Sequence, residues 1–190
     1  MTMQDFWGLS GSAALLTAAI FSLPPLNTRQ GAKRRLAAAA LFSLIMLPFM
    51  NGLAVAGYLR GITGDLSVTT VMLLLLFISG GNRVADNSRK ALLILVLIEA
   101  LVLYPLSVGP FPLDPYEWGY QPRGLLIAIA GAGFLSSRKY PAVTLLLLLT
   151  LLAYAAKIGE SVNLWDYLLD PLVLCYAIGA LLLKPFYRRL

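Results

Sequence analysis

An all-α, polytopic transmembrane helical bundle of about seven spans is the fold class the sequence predicts, and three observations predict it. Hydrophobic residues make up 59% of the 190-residue chain and charged residues 13%, whereas soluble domains run at roughly 45–50% and about 25%. The apolar residues gather in long runs, and the polar ones fill the gaps between them. The cations are partitioned between alternate gaps, which is how topology is written into a membrane chain.

The first predicted span is Phe6–Leu26. Asp5 is the only charge ahead of it and no basic stretch precedes it, so it reads as a span and not as a cleaved signal. The others are Leu36–Tyr58, Leu66–Gly80, Ala91–Val108, Gly124–Ser136, Pro141–Ala156 and Leu168–Leu183. A crossing takes about 20 residues, so the third and fifth are short. The whole chain, 1–190, reads as one transmembrane domain, with outer loops near 59–67, 109–123 and 157–170.

Orientation follows from Lys and Arg. The gaps around 27–35, 81–90 and 138–139, with the end of the chain, hold twelve of the fifteen cations. The remaining three are Arg60, Arg123 and Lys157. That asymmetry places the N-terminus outside and the C-terminus in the cytoplasm. Seven of the nine acids (Asp5, Asp65, Asp114, Glu117, Glu160, Asp166 and Asp170) and all three tryptophans, Trp7, Trp118 and Trp165, then fall on the outer side. The outer face is the elaborated one, and the expected location is a bacterial inner (plasma) membrane.

Composition also excludes functions. The net charge of +6 is scattered through the gaps and forms no basic face, so nucleic acid is not an expected partner. The single cysteine, Cys175, lies within an apolar segment and supports no disulfide framework. The chain has no histidine, which removes His-based metal sites, Ser–His nucleophiles and His relays. No metal site is expected and the residues specify no cofactor. Any chemistry must run on carboxylates, Arg, Lys, Tyr and polar backbone.

Four stretches could carry it. In "FPLDPYEWGYQPRG" the prolines forbid a continuous helix, and Asp114-Pro115 starts a turn. Here Asp114 or Glu117 is a candidate base or ligand opposite Arg123, and Trp118 is a candidate binding surface. In "GESVNLWDYLLDPL" Asn163 is suited to cap a short helix over Leu164–Leu169. Asp170-Pro171 is suited to start the last span, with Asp at the N-cap and Pro at the first helical position. Asp166 and Asp170 are further candidate catalytic acids, and Trp165 a further binding residue. In "YLRGITGDLSVTT" Asp65 or Ser67 caps the next helix, while Arg60 is free to meet Asp65, the loop acids or a phosphate. Finally, Glu99 sits mid-span in "LLILVLIEALVLYPL", where an acid is costly and marks a functional candidate. Asn51, beside Pro48 and Gly52, is its candidate partner.

The expected function is an outward-facing acidic and aromatic site that binds or processes an amphiphile. Such a substrate would be lipid-linked or phosphate-bearing and would belong to cell-envelope metabolism. Whether the site is enzymatic is open. A non-catalytic subunit or scaffold docking another membrane protein is the first alternative. The second is a small proton- or ion-coupled transporter using Glu99. Membrane lipids are the expected surroundings in each case. The phosphate-binding version expects Arg60, Arg123 and one of Asp114, Glu117, Asp166 or Asp170 to converge.

Overall fold

The computed structural model describes residues 2–23, 31–50, 52–79, 85–109 and 112–187. Helix accounts for 77% of the structure, and the only sheet among the described residues is a two-stranded hairpin, so the chain is all-α. The elements in order are α1 (Met3–Ser22), α2 (Ala32–Met46), β1 (Pro48–Met50), β2 (Leu53–Ala54), α3 (Val55–Thr63), α4 (Val68–Ile78) and α5 (Asp86–Val108). A 3-10 helix (Pro115–Gly119) follows, then α6 (Arg123–Ser136), α7 (Pro141–Ala155), α8 (Trp165–Leu168) and α9 (Pro171–Tyr187).

Among the described residues the apolar runs are mainly helix, but the lengths differ from the expectation of seven full spans. Among the described residues, Asn87–Val108 is the one helix long and apolar enough to cross a membrane. Four further apolar helices, Val68–Ile78, Arg123–Ser136, Pro141–Ala155 and Pro171–Leu182, are shorter than 18 residues. At 1.5 Å per residue the 11 residues of α4 rise about 16 Å, roughly half of a 30 Å hydrocarbon layer. The expected continuous span Leu36–Tyr58 is also corrected. Helix α2 stops at Met46, the chain makes the Pro48–Ala54 hairpin, and helix resumes at Val55. Pro48 lacks the N–H that helix continuation needs, and Gly52 turns the hairpin at φ +78°, a conformation that side chains resist.

The chain divides into two compact units. The first comprises residues 1–66, 71–83 and 157–160, and the second comprises 67–70, 84–156 and 161–190. In the first, α1 packs against α2 and α3. Its contact face is built from small residues, with Gly8, Gly11, Ser12, Ala13, Ala14, Thr17 and Ala18 all buried, so the backbones can approach closely. Phe21, Ala38 and Ile78 close one core cluster, and Ile45, Ala54 and Ala56 another. Arg34, expected as a topology signal in a loop, is instead buried. It donates to the carbonyls of Phe77 (3.2 Å) and Ile78 (3.4 Å) and lies between the rings of Phe21 and Phe77. A cation there meets the negative end of α4 and satisfies carbonyls the helix leaves open.

In the second unit α5 packs on α7 and α9, and α6 packs on α7. The inward stripe of α5 is Leu92, Leu93, Val96, Ala100 and Leu103, at helical spacing. Its opposite stripe, including Ile94, Ile98, Leu101 and Val102, is exposed and just as apolar.

Candidate functional site

The two aromatic loops of the second unit clasp each other. Asp114 Oδ1 accepts from the Tyr116 N–H at 2.9 Å and caps the 3-10 helix, with Pro115 at its start. Asn163 is fully buried. Its Oδ1 accepts from the Trp165 N–H and its Nδ2 donates to the Tyr116 carbonyl, both at 3.0 Å. The Trp165 indole donates to the Pro115 carbonyl at 2.8 Å, and the Leu164 N–H donates to the Gly119 carbonyl at 3.0 Å. Gly119 is required at that crossing, because a Cβ would stand 1.7 Å from Asn163 Oδ1.

Asp166 is the carboxylate at the centre of this clasp. Its Oδ2 accepts from Ser161 Oγ at 2.6 Å and from the Tyr116 hydroxyl at 3.0 Å. Burial pushes the Tyr116 hydroxyl far above its ordinary pKa, and the Asp166 charge adds to that, so Tyr116 remains a donor. Asp170 does the capping its position foretold. Its Oδ1 accepts from the Val173 N–H at 2.9 Å, and its Oδ2 accepts from the Ser67 N–H at 2.8 Å. Ser67 in turn caps α4 through the Thr70 N–H, and Thr69 donates to the Leu168 carbonyl at 2.6 Å. Three of the four acids proposed for catalysis are therefore committed to loop and helix-end structure.

Glu117 is placed differently. Together with Trp118 and Trp165 it lines a cavity of about 1010 Å³, whose wall is continued by Tyr120 and Gln121. The wall then runs on to Val102 of α5 and to Gly124, Leu125 and Ala128 of α6. The last three share one face of α6, and Gly124 meets no neighbouring atom where a Cβ would stand. The cavity is thus polar and aromatic at the 3-10 helix and apolar along the helices. Trp118 is 45% exposed and Tyr120 52%, whereas Trp165 is 4% exposed and fixed by its indole bond.

Arg60 lies in the first unit, where three acids surround it. Its Nε donates to Asp65 Oδ1 at 2.7 Å, its Nη2 stands 2.6 Å from Glu160 Oε1, and its Nη1 stands 3.6 Å from Asp5 Oδ1. The Asp65 bond, with the charges of Asp65, Glu160 and Asp5, raises its pKa against the cost of burial, so the guanidinium is permanently charged. Asp5 is held below the ordinary carboxylate range, chiefly by hydrogen bonds from Thr2 and further by Arg60. Asp5 and Thr2 also close a capping box at the start of α1. Gly8 leaves the room that Arg60 occupies, since a Cβ on it would lie 2.0 Å from Arg60 Nε.

Of the other candidates, Arg123 is exposed at the first position of α6 and is not part of the cavity wall. Glu99 is half-buried midway along α5. Asn51 lies outside the described residues, so the suggested Glu99–Asn51 pair does too. Among the described residues, no group of three or more His, Cys, Asp or Glu is arranged to hold a metal ion. Sequence reasoning did not find Val102, Tyr120 or Gln121 as cavity residues. Tyr120 and Gln121 stood in a stretch already singled out, but nothing local marks a Val in an apolar helix as a cavity wall. No protein-family profile, curated protein or solved structure matches this chain.

Proposed function

We propose that the protein is a multi-pass inner-membrane protein, with its N-terminus outside and its C-terminus in the cytoplasm. Its outward-facing cavity, beside Glu117, Trp118 and Trp165, binds an amphiphile of the cell envelope. The observation that carries this reading is the build of the cavity, acidic and aromatic at one end and apolar along α5 and α6. An amphiphile has the same two-part form.

The membrane half of the proposal is supported by what the helices turn outward. Only 28% of the most hydropathic stretch of Asn87–Val108 is buried, and Ile127, Phe134 and Leu135 of α6 are all at least 75% exposed. Soluble monomers do not present apolar surface on that scale, whereas lipid covers it at no cost. Short helices such as α4 are tolerated where neighbouring protein or thinned bilayer makes up the difference.

Binding is favoured over processing, because Asp114, Asp166 and Asp170 are occupied as hydrogen-bond acceptors and Glu117 is the one acid on the cavity wall. A phosphate-bearing head group gains little support, since Arg60 is matched by three carboxylates and no Lys or Arg lines the cavity.

The test is cross-linking with a diazirine-bearing phospholipid on the protein in native membranes, combined with cysteine labelling at positions 117 and 166 in a Cys175→Ser background. Expected are adducts mapping to α5 and α6 near Val102 and Ala128, their loss on Ala128→Phe, and labelling from outside only. Labelling of both positions from the cytoplasm sinks the topology, and unchanged adducts in Ala128→Phe sink the site.

A further inference from the structure

The cavity wall also indicates which head group it takes. Among its lining residues the single acidic side chain is Glu117, and no Lys or Arg accompanies it. Trp118 and Tyr120 are about half exposed, leaving ring surface that no protein atom covers. The Tyr120 ring is braced edge-on by Tyr116, with centroids 5.7 Å apart and planes at 89°. Trp165 cannot swing away while its indole is bonded to the Pro115 carbonyl. The half-exposed rings of Trp118 and Tyr120 beside one carboxylate are what an organic cation is held by. The ring quadrupole attracts positive charge within about 6 Å of its centre, and the acid supplies the counter-charge. An anion finds the reverse, a negative charge and electron-rich ring faces, and the donor groups of Gln121, Tyr120 and Trp118 are all neutral.

We infer that the occupant of this cavity carries a cationic head group of the alkylammonium class, with its apolar chain along Val102, Leu125 and Ala128. This rests on the amphiphile-binding reading above and narrows it.

The experiment uses the full chain in polyoxyethylene-ether micelles, which supply neither charge nor sugar. Three probes of equal chain length are added at equal mole fraction: dodecyltrimethylammonium, dodecyl phosphate and dodecyl maltoside. Occupancy is read by native mass spectrometry and by tryptophan emission. Trimethylammonium should bind about tenfold more tightly than phosphate or maltoside, and Glu117→Gln or Trp118→Ala should each remove most of that preference. Glu117 and Trp118 are exposed, so both variants should keep the parent's unfolding temperature, measured alongside. Equal or tighter binding of phosphate or maltoside overturns the inference and leaves amphiphile binding standing. A preference that survives Glu117→Gln and Trp118→Ala unchanged also overturns it. If none of the three probes binds, the inference and the amphiphile reading fall together.

Discussion

Asn163 offers the sharpest test of how the aromatic loops are held. Its side chain is fully buried, with one bond to the Tyr116 carbonyl and one from the Trp165 N–H, each 3.0 Å. Asn163→Ala removes both and strands a buried donor and a carbonyl. Each unsatisfied group costs about 1–3 kcal/mol, so the expected loss is about 3 kcal/mol. Three anchors remain, the Trp165 indole to Pro115, the Leu164 N–H to Gly119 and the Tyr116 hydroxyl to Asp166, which keeps the loss from reaching the whole clasp. For a chain of this length 1 kcal/mol moves Tm by about 2–4 °C, so Tm should fall by about 6–12 °C. The assay is tryptophan emission on heating in nanodiscs, with amide exchange at Trp165 and Leu169 as the local readout.

Asn163→Asp separates the two bonds. The acceptor for the Trp165 N–H is kept, but at neutral pH a carboxylate faces the Tyr116 carbonyl. Stability should therefore be lower at pH 7 than at about pH 4, where the introduced carboxyl regains a proton to donate. A Tm for Asn163→Ala within 2 °C of the parent, with Trp165 exchange unchanged, would refute the account of the clasp.

Three further outcomes are expected. Gly119→Ala should disrupt the same crossing, because its Cβ would meet Asn163 Oδ1 at 1.7 Å and Trp165 Cδ1 at 2.9 Å, so Trp165 emission should shift and Tm should drop. Gly8→Ala should destabilise by about 1–2 kcal/mol, the clash with Arg60 at 2.0 Å and Asp65 at 2.2 Å outweighing the helix gain of about 0.5–1 kcal/mol. Gly11→Ala is the control, its Cβ making an ordinary 3.4 Å contact with Val71, and its Tm should hold or rise. The capping box gives a pH dependence. The pKa of Asp5 is lowered on folding, so its contribution is complete above the ordinary carboxylate pKa and is lost as pH falls through the lowered one. Amide protection at Asp5 and Phe6 should fall only below about pH 4, and Asp5→Asn should abolish that dependence.

Much of the local structure was legible because its causes are local. Asp170-Pro171 specifies a helix start through one carboxylate and one fixed φ, and Ser67 caps α4 as its position foretold, whereas Asn163 closes a turn on the Trp165 N–H one residue ahead of Leu164, the N-cap of α8. The hairpin that interrupts Leu36–Tyr58 was signalled by Pro48 and Gly52 but outweighed by the hydropathy around them. Hydropathy reports the surroundings a segment prefers and is silent on where its backbone breaks. Arg34 misled for a related reason. Charge counting records that a cation lies beside a span, and only packing decides whether it stays in solvent or folds back onto the open carbonyls of α4.

The sequence by itself determined an all-α chain rich in apolar helix, with acids and indoles segregated from most of the cations. Those properties depend on residue type and spacing, each felt within a turn or two of the backbone. Tertiary structure decided how the acids are employed. Asp114 is spent locally, on the Tyr116 N–H two residues on, while Asp166 and Asp170 also accept from donors that folding brings from 50 and 103 residues away. Glu117 alone of the four lines the cavity, beside a Trp that arrives from a different loop. Which polar group is satisfied and which is left facing open space depends on long-range juxtaposition, and no local pattern in a chain encodes that.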